Sequence, residues 1–324
     1  MADNKFAQLG RVEAIRQLFE GTGYTAFEEP CWFDDADGGY VTTASRLLLE
    51  GIDFNLVYFP YKHLGYKSVI SVVGELYAVM AMPRTLSVIL GVSAKLGFDQ
   101  ISELWSGIVF AAKEHGIKSV SLDLQPSQTG LSISVSVTGV ASKKVLRPKA
   151  ASKDLICVSG SLGAAYLGMQ VLERKPGELE TYKMLVGAYL KPELSPQTVT
   201  QLCDEGIYPS FGYFVTRGLS DAVKRLSRDS GLGAKIYADK IPFEGNSFAL
   251  GRDLDIDPVS AAMNGGDDFK LLFVIPILQL EKFRKNFQTF DIIGHLAQKD
   301  VGSVLVTPDG VELTMTAQGW NEQE

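Results

Sequence analysis

The stretch Ser142 to Gly168, SKKVLRPKAASKDLICVSGSLGAAYLG, divides the chain. Its first half, Ser142 to Lys153, is polar and basic and reads as a junction. Leu155 to Ser159 is a short apolar run with the length of a buried strand. Gly160-Ser161-Leu162-Gly163 then opens a helix that runs towards Leu172. Upstream, Phe6 to Glu20 has the period of an amphipathic helix. Strands are expected at Tyr40 to Ser45, Leu86 to Val92, Ser119 to Leu124 and Leu131 to Val140, with Gly51 to Val57 a further extended segment. The last strand alternates Ile133, Val135 and Val137. Between them Gly65 to Met80 reads as a buried helix, and Ile101 to His115 as a helix stopped by Gly116. Downstream, helices at Leu219 to Ser230 and Gln279 to Phe287 alternate with strands at Leu271 to Ile275 and Ser303 to Thr307. The pattern predicts an α+β chain in two parts, residues 1–145 and 146–324.

Composition narrows the function classes. The 324 residues are 46% hydrophobic and 21% charged, as in a chain that buries a core. A net charge of −7 argues against a nucleic-acid binder, which shows a basic face, but leaves room for nucleotides held by a few local cations. No apolar run is long enough to span a membrane, and the N-terminus lacks the apolar core of a signal peptide. A cytoplasmic protein is expected. Cys31, Cys157 and Cys203 are far apart and odd in number, which fits free thiols better than disulfides or a metal knuckle. Only His63, His115 and His295 can serve as imidazole bases, so Cys/His or Ser/His catalysis is a poor expectation.

Several short motifs have two readings each. Phe33 to Asp37, FDDAD, crowds Asp34, Asp35 and Asp37 together. Such carboxylates suit a divalent ion, or a solvated turn. Gly265 to Phe269, GGDDF, puts two acids after two glycines that let backbone approach a ligand, or simply leads into a strand. Gly160 to Gly163 offers backbone N–H groups to an anion, or makes a tight turn. Arg147 with Lys143, Lys144 and Lys149 suits phosphate, or a solvated linker. Trp320 suits an aromatic ligand, or a capping role.

Taken in order, these segments resemble the thiamine-monophosphate kinase family of the aminoimidazole ribonucleotide synthetase-like superfamily. The resemblance runs from FDDAD through LLLEGIDF (Leu47 to Phe54), GYKSVISVVGELYAVMAMP (Gly65 to Pro83), the junction, RGLSDAVKRLSRDSGLGAKI (Arg217 to Ile236), GGDDFKLLF and IIGHL (Ile292 to Leu296), to Gly319-Trp320. It implies two α+β domains. The N-terminal domain pairs into a homodimeric barrel-like sheet, and the C-terminal part is an α/β domain. It also implies phosphoryl transfer from ATP to thiamine monophosphate with Mg²⁺, by positioning and charge neutralisation rather than by a dedicated base. By motif, Asp35, Ser45, Glu75 and Asp123 fall on metal positions. Arg147 and Asp123 fall on nucleotide positions, and Asp53, Asp267 and Trp320 on substrate positions.

The departures concern charge. Arg46 stands where the family carries a metal aspartate. The family's DISDGL segment reads Phe214-Val215-Thr216-Arg217-Gly218-Leu219, which removes two more. An arginine about 5 Å from a divalent ion costs about 7 kcal/mol at an effective dielectric near 20. At most one ion, on Asp35, Glu75 and Asp123, is expected. Arg46 and Arg217, with Thr216 beside them, either clamp a phosphate directly or pair with the remaining acids and fill a dead site. Two functions follow: a kinase with a degraded metal site, or a non-catalytic paralogue that binds a nucleotide or another phosphorylated small molecule.

Overall fold

The computed structural model describes residues 31–34, 39–142 and 147–320. The expected helix at Phe6 to Glu20 and residues Asp35, Asp37, Lys143 and Lys144 lie outside them. Two sheets carry the fold. The first is built from β1 (Cys31–Asp34), β2 (Gly39–Leu49), β3 (Met82–Ser93), β4 (Ser119–Ser127) and β5 (Ser132–Ser142), in the order β1-β2-β5-β3-β4. All pairs are antiparallel except β3 with β4. A parallel pair needs a long crossover, and α2 (Phe98–Glu114) supplies it. The second sheet joins β6 (Leu155–Val158), β7 (Phe211–Val215), β8 (Gly233–Tyr237), β9 (Lys270–Ile275), β10 (Asp291–Ala297), β11 (Ser303–Val306) and β12 (Glu312–Thr314), in the order β12-β11-β8-β10-β6-β9-β7.

The helix α1 (Tyr61–Ala78) lies between the sheets. It is apolar almost all round, as a helix with no solvent face must be. It packs on β2 and β5 on one side and on β7 and β9 on the other. One apolar cluster therefore runs from Leu48, Val135 and Leu76 to Phe214 and Phe273 without a break. The opposite face of the second sheet presents Val158, Val215 and Leu272 to Ala222 and Val223 of α6 (Leu219–Ser230). Alternation thus sends Phe214 towards α1 and its neighbours Tyr213 and Val215 towards α6. The outward face of the first sheet is rich in hydroxyls. Ser45, Ser136, Ser87 and Ser121 stand at one register level across four strands, with Oγ atoms 2.8 Å apart for the first pair and 3.1 Å for the last.

The segment Gly51 to Val57 is not extended. Leu49 N donates to Asp53 Oδ2 at 2.8 Å, and this side-chain bond closes a turn. The glycine loop at Gly160 to Gly163 does open a helix, α3 (Ala164–Arg174), but the acceptor there is the chain's own carboxyl. Gly163 N and Ala165 N both donate to buried Asp268, at 2.9 and 3.3 Å. Four further helices not expected from the sequence, α4 (Lys183–Leu190), α5 (Thr198–Asp204), α7 (Ser247–Leu254) and α8 (Pro258–Asn264), precede α9 (Leu280–Asn286).

Two predictions follow from this packing. A Cβ on Gly107 of α2 would sit 1.9 Å from the Lys62 carbonyl oxygen on α1. Gly107→Ala is therefore expected to cost about 1–3 kcal/mol despite the better helix propensity of alanine, read as a lower urea midpoint at unchanged slope. Burial pushes the Asp268 carboxyl up to about 7 from an ordinary 3.8, against the pull of the two amides and Lys270. A raised folded value means that the protonated group's contribution is complete below about pH 4 and is lost as pH rises through about 7. Stability of the wild type should fall between about pH 4 and about pH 7, and Asp268→Asn should flatten that fall. An equal fall in the variant would remove Asp268 as its source.

Candidate functional site

Where β7 ends, Thr216 and Arg217 meet the GGDDF loop. Asp267 N donates to Thr216 O and Phe269 N to Val215 O, each at 3.0 Å. Both Asp267 and Phe269 adopt positive φ, at 58° and 49°, just after Gly266 at 79°. Left-handed backbone at two non-glycine residues is uncommon and is held here by those hydrogen bonds. The result is a cavity of about 560 Å³ lined by Asp53, Tyr166, Met169, Tyr189, Arg217 and Asp267 among others.

Asp267 is the hub of the inner wall. Its Oδ1 lies 3.2 Å from Arg46 Nη2, and its Oδ2 lies 3.0 Å from Lys67 Nζ. Arg46 comes from β2, Lys67 from α1 and Asp267 from the loop before β9. Desolvation alone would raise the Asp267 carboxyl, but Lys67 and Arg46 outweigh it and hold the group below the usual carboxylate range. The Lys67 ammonium is buried against aromatic faces, 3.7 Å from the Tyr189 ring centroid and 5.3 Å from that of Phe59. The Arg46 guanidinium lies 5.3 Å over Phe269.

A second charged group flanks the first. Asp221 and Arg225 of α6 are both buried, with Nε to Oδ2 at 3.1 Å, and Arg217 Nη1 lies 3.8 Å from the same oxygen. Trp320 Nε1 donates to Asp221 Oδ1 at 2.8 Å, and the indole sits between Lys224 and Arg228. Glu75, on α1, faces this group. Desolvation pushes its carboxyl up, while Arg225, Arg217 and Arg46 pull it down.

The expected site residues separate into those that meet and those that do not. Arg46, Asp267, Thr216, Arg217, Asp53 and Glu75 gather at the cavity or its inner wall. Arg147 instead donates from Nη2 to the Ala78 carbonyl at 3.1 Å, so it ties the junction to the end of α1. Trp320 is held by Asp221, while Gln318 and Gly319 line the cavity in its stead. Arg46 pairs with Asp267 rather than with Glu75 or Asp123. Among the described residues, Glu75 and Asp123 of the expected metal set do not come together. Asp123 is exposed on β4 and level with Ile89 on the outward face, as is Ser45 on β2, whereas Glu75 lies on the helix side. Asp35 lies outside the described residues. Among the described residues no three Asp, Glu, His or Cys side chains come together as a metal would require. The donor set around Glu75 is cationic, so these residues do not fit a divalent ion.

Lys67, Asp221 and Arg225 were not expected at the site. A lysine inside the apolar run Gly65 to Met80 was the available signal for the first. The i,i+4 spacing of Asp221 and Arg225 was the signal for the others.

The N-terminal domain model of AIR synthase related proteins matches residues 32–141. The thiamine-monophosphate kinase of Pyrococcus horikoshii is 26% identical over 95% of this chain and 94% of its own length. The structure of AaThiL complexed with AMPPCP and TMP covers 96% of both chains with a TM-score of 0.83 at 21% identity. The HypE–HypF complex contains a chain of the same fold, with a TM-score of 0.69 at 19% identity over 93% of this chain and 98% of that one. Residues 32–141 carry the N-terminal domain of AIR synthase related proteins, and over nearly its whole length the chain is similar to thiamine-monophosphate kinases.

Proposed function

We propose that the cavity beside Asp267 binds a phosphorylated small molecule of the thiamine-monophosphate type, next to a site for the phosphates of ATP. The observation that carries this reading is the division of the cavity wall. Tyr166, Met169 and Tyr189 offer an apolar and aromatic side for a heterocycle, while Arg217, Thr216 and Asn264 offer donors to a phosphate. Relatives named as kinases, and a neighbour solved with an ATP analogue and TMP, support phosphoryl transfer as the activity. The residues would act by holding acceptor and donor in line. Mg²⁺, ordinarily the source of charge neutralisation in such a transfer, does not fit the described residues, and no step is assigned to it.

A second reading is favoured by Phe214. A phenyl ring, not a carboxylate, fills the space against Gly74, where a Cβ would lie 2.1 Å from the ring. On that reading the chain binds its phosphorylated ligand without turnover. In either case the exposed hydroxyl face of the first sheet is the surface on which two copies would pair.

Turnover of ATP and thiamine monophosphate to thiamine diphosphate, followed beside calorimetric binding of thiamine monophosphate, separates the readings. Binding with turnover supports the kinase, and binding without it supports the paralogue. Met169→Trp should fill the cavity and weaken thiamine monophosphate binding by roughly tenfold or more with unchanged thermal unfolding. Unchanged affinity in that variant would place the ligand elsewhere.

A further inference from the structure

Three guanidinium groups from three different elements stand around the cavity wall: Arg46 of β2 lies 3.2 Å from Asp267, whose N donates to Thr216 O, and Arg217, at the end of β7, and Arg225 of α6 share Asp221 Oδ2. Each is held in place. Arg46 is fixed by Asp267 and by the Phe269 ring, and Arg225 by Asp221. Arg217 is the most open, with its side chain 42% exposed and lining the cavity. Arg46 lies deeper, at 22%, and Asp267 engages one of its terminal nitrogens. A guanidinium distributes five N–H donors, so an ion pair of this kind leaves others to direct at a second oxyanion.

Fixed cations and a bound divalent ion exclude one another at this range. At about 5 Å the repulsion is about 7 kcal/mol at an effective dielectric near 20. The same field favours a bare phosphate. A diphosphate stripped of metal carries more negative charge than its Mg²⁺ complex and gains more from guanidinium donors.

We propose that Arg217 and Arg46, backed by Arg225, form a metal-independent polyphosphate site that takes the phosphate chain in its uncomplexed form. This rests on the phosphorylated-ligand reading above and adds the charge state of the ligand. Asp267 belongs to the same device. By pairing with Arg46 and Lys67 together it keeps a buried ammonium and a half-buried guanidinium compensated when no ligand is present.

The test is calorimetric titration of the full chain with ATP and with inorganic pyrophosphate, each in EDTA and in excess Mg²⁺. The expected result is binding in EDTA that Mg²⁺ weakens by roughly tenfold. Arg217→Gln, at a side chain 42% exposed and with thermal unfolding checked beside it, should weaken the EDTA binding by about tenfold. Arg217→Asp should reverse the preference, so that Mg²⁺ strengthens whatever binding remains. Binding that requires Mg²⁺ in the wild type overturns the inference and leaves the phosphorylated-ligand reading standing. Failure of ATP and pyrophosphate to bind in either buffer, with thiamine monophosphate still bound, also overturns it. Failure of all three ligands overturns both. Undiminished EDTA binding by Arg217→Gln removes Arg217 from the site.

Discussion

The paired contact of Asp267 with Arg46 and Lys67 is the constraint on which the site depends. It joins the first sheet, the central helix and the loop that feeds the second sheet through one carboxylate. Lys67 is buried, and a buried ammonium without a counter-charge would cost several kcal/mol. Asp267 supplies that charge only because the loop turns through positive φ at Gly266, Asp267 and Phe269. The backbone bonds to Thr216 and Val215 hold that turn in register with β7. Arg217, one residue beyond Thr216, is thereby set at the cavity wall.

Phe214 is the apolar counterpart of that constraint. It stacks on Phe269 at 5.5 Å between centroids and presses against α1 where Gly74 leaves room. Phe269 in turn carries the Arg46 guanidinium on its face. A ring at position 214 thus does more than fill space. It builds an aromatic floor that desolvates the neighbouring charges, and desolvation strengthens every electrostatic interaction above it.

Much of the scaffold was legible because periodicity reports burial directly. The alternation of Ile133, Val135 and Val137 located β5, and Leu219 to Ser230 marked α6 to the residue. Elements whose side chains are buried on both faces were harder to read. The run Phe211–Val215 has no alternation of polarity, since Phe214 enters one core and Tyr213 and Val215 the other. Gly51 to Val57 misled because its conformation is set by one side-chain bond from Asp53, which no periodicity encodes. Site residues divided in the same way. Arg46, Asp267 and Arg217 were visible as charges in the wrong or right place along a motif. Their mutual pairing depends on tertiary distances, as does the diversion of Arg147 to the Ala78 carbonyl.

Scaffold and chemistry separate cleanly in this chain. A TM-score of 0.83 to AaThiL describes backbone, and backbone is indifferent to what stands at positions 46, 214 and 217. At those positions, where the resemblance implies three carboxylates, the chain carries two guanidinium groups and a ring. An anionic ligand facing a wall of carboxylates needs divalent ions between itself and the protein. The same ligand facing Arg46 and Arg217 does not, and the ions would now be repelled. On the reading proposed above, weakened metal binding and phosphate binding are consequences of one exchange of charge. Catalysis on this scaffold then rests on whether fixed guanidinium groups can follow the charge that develops during transfer as well as mobile ions do. That is a question of their aim at the moving phosphoryl group, not of their number.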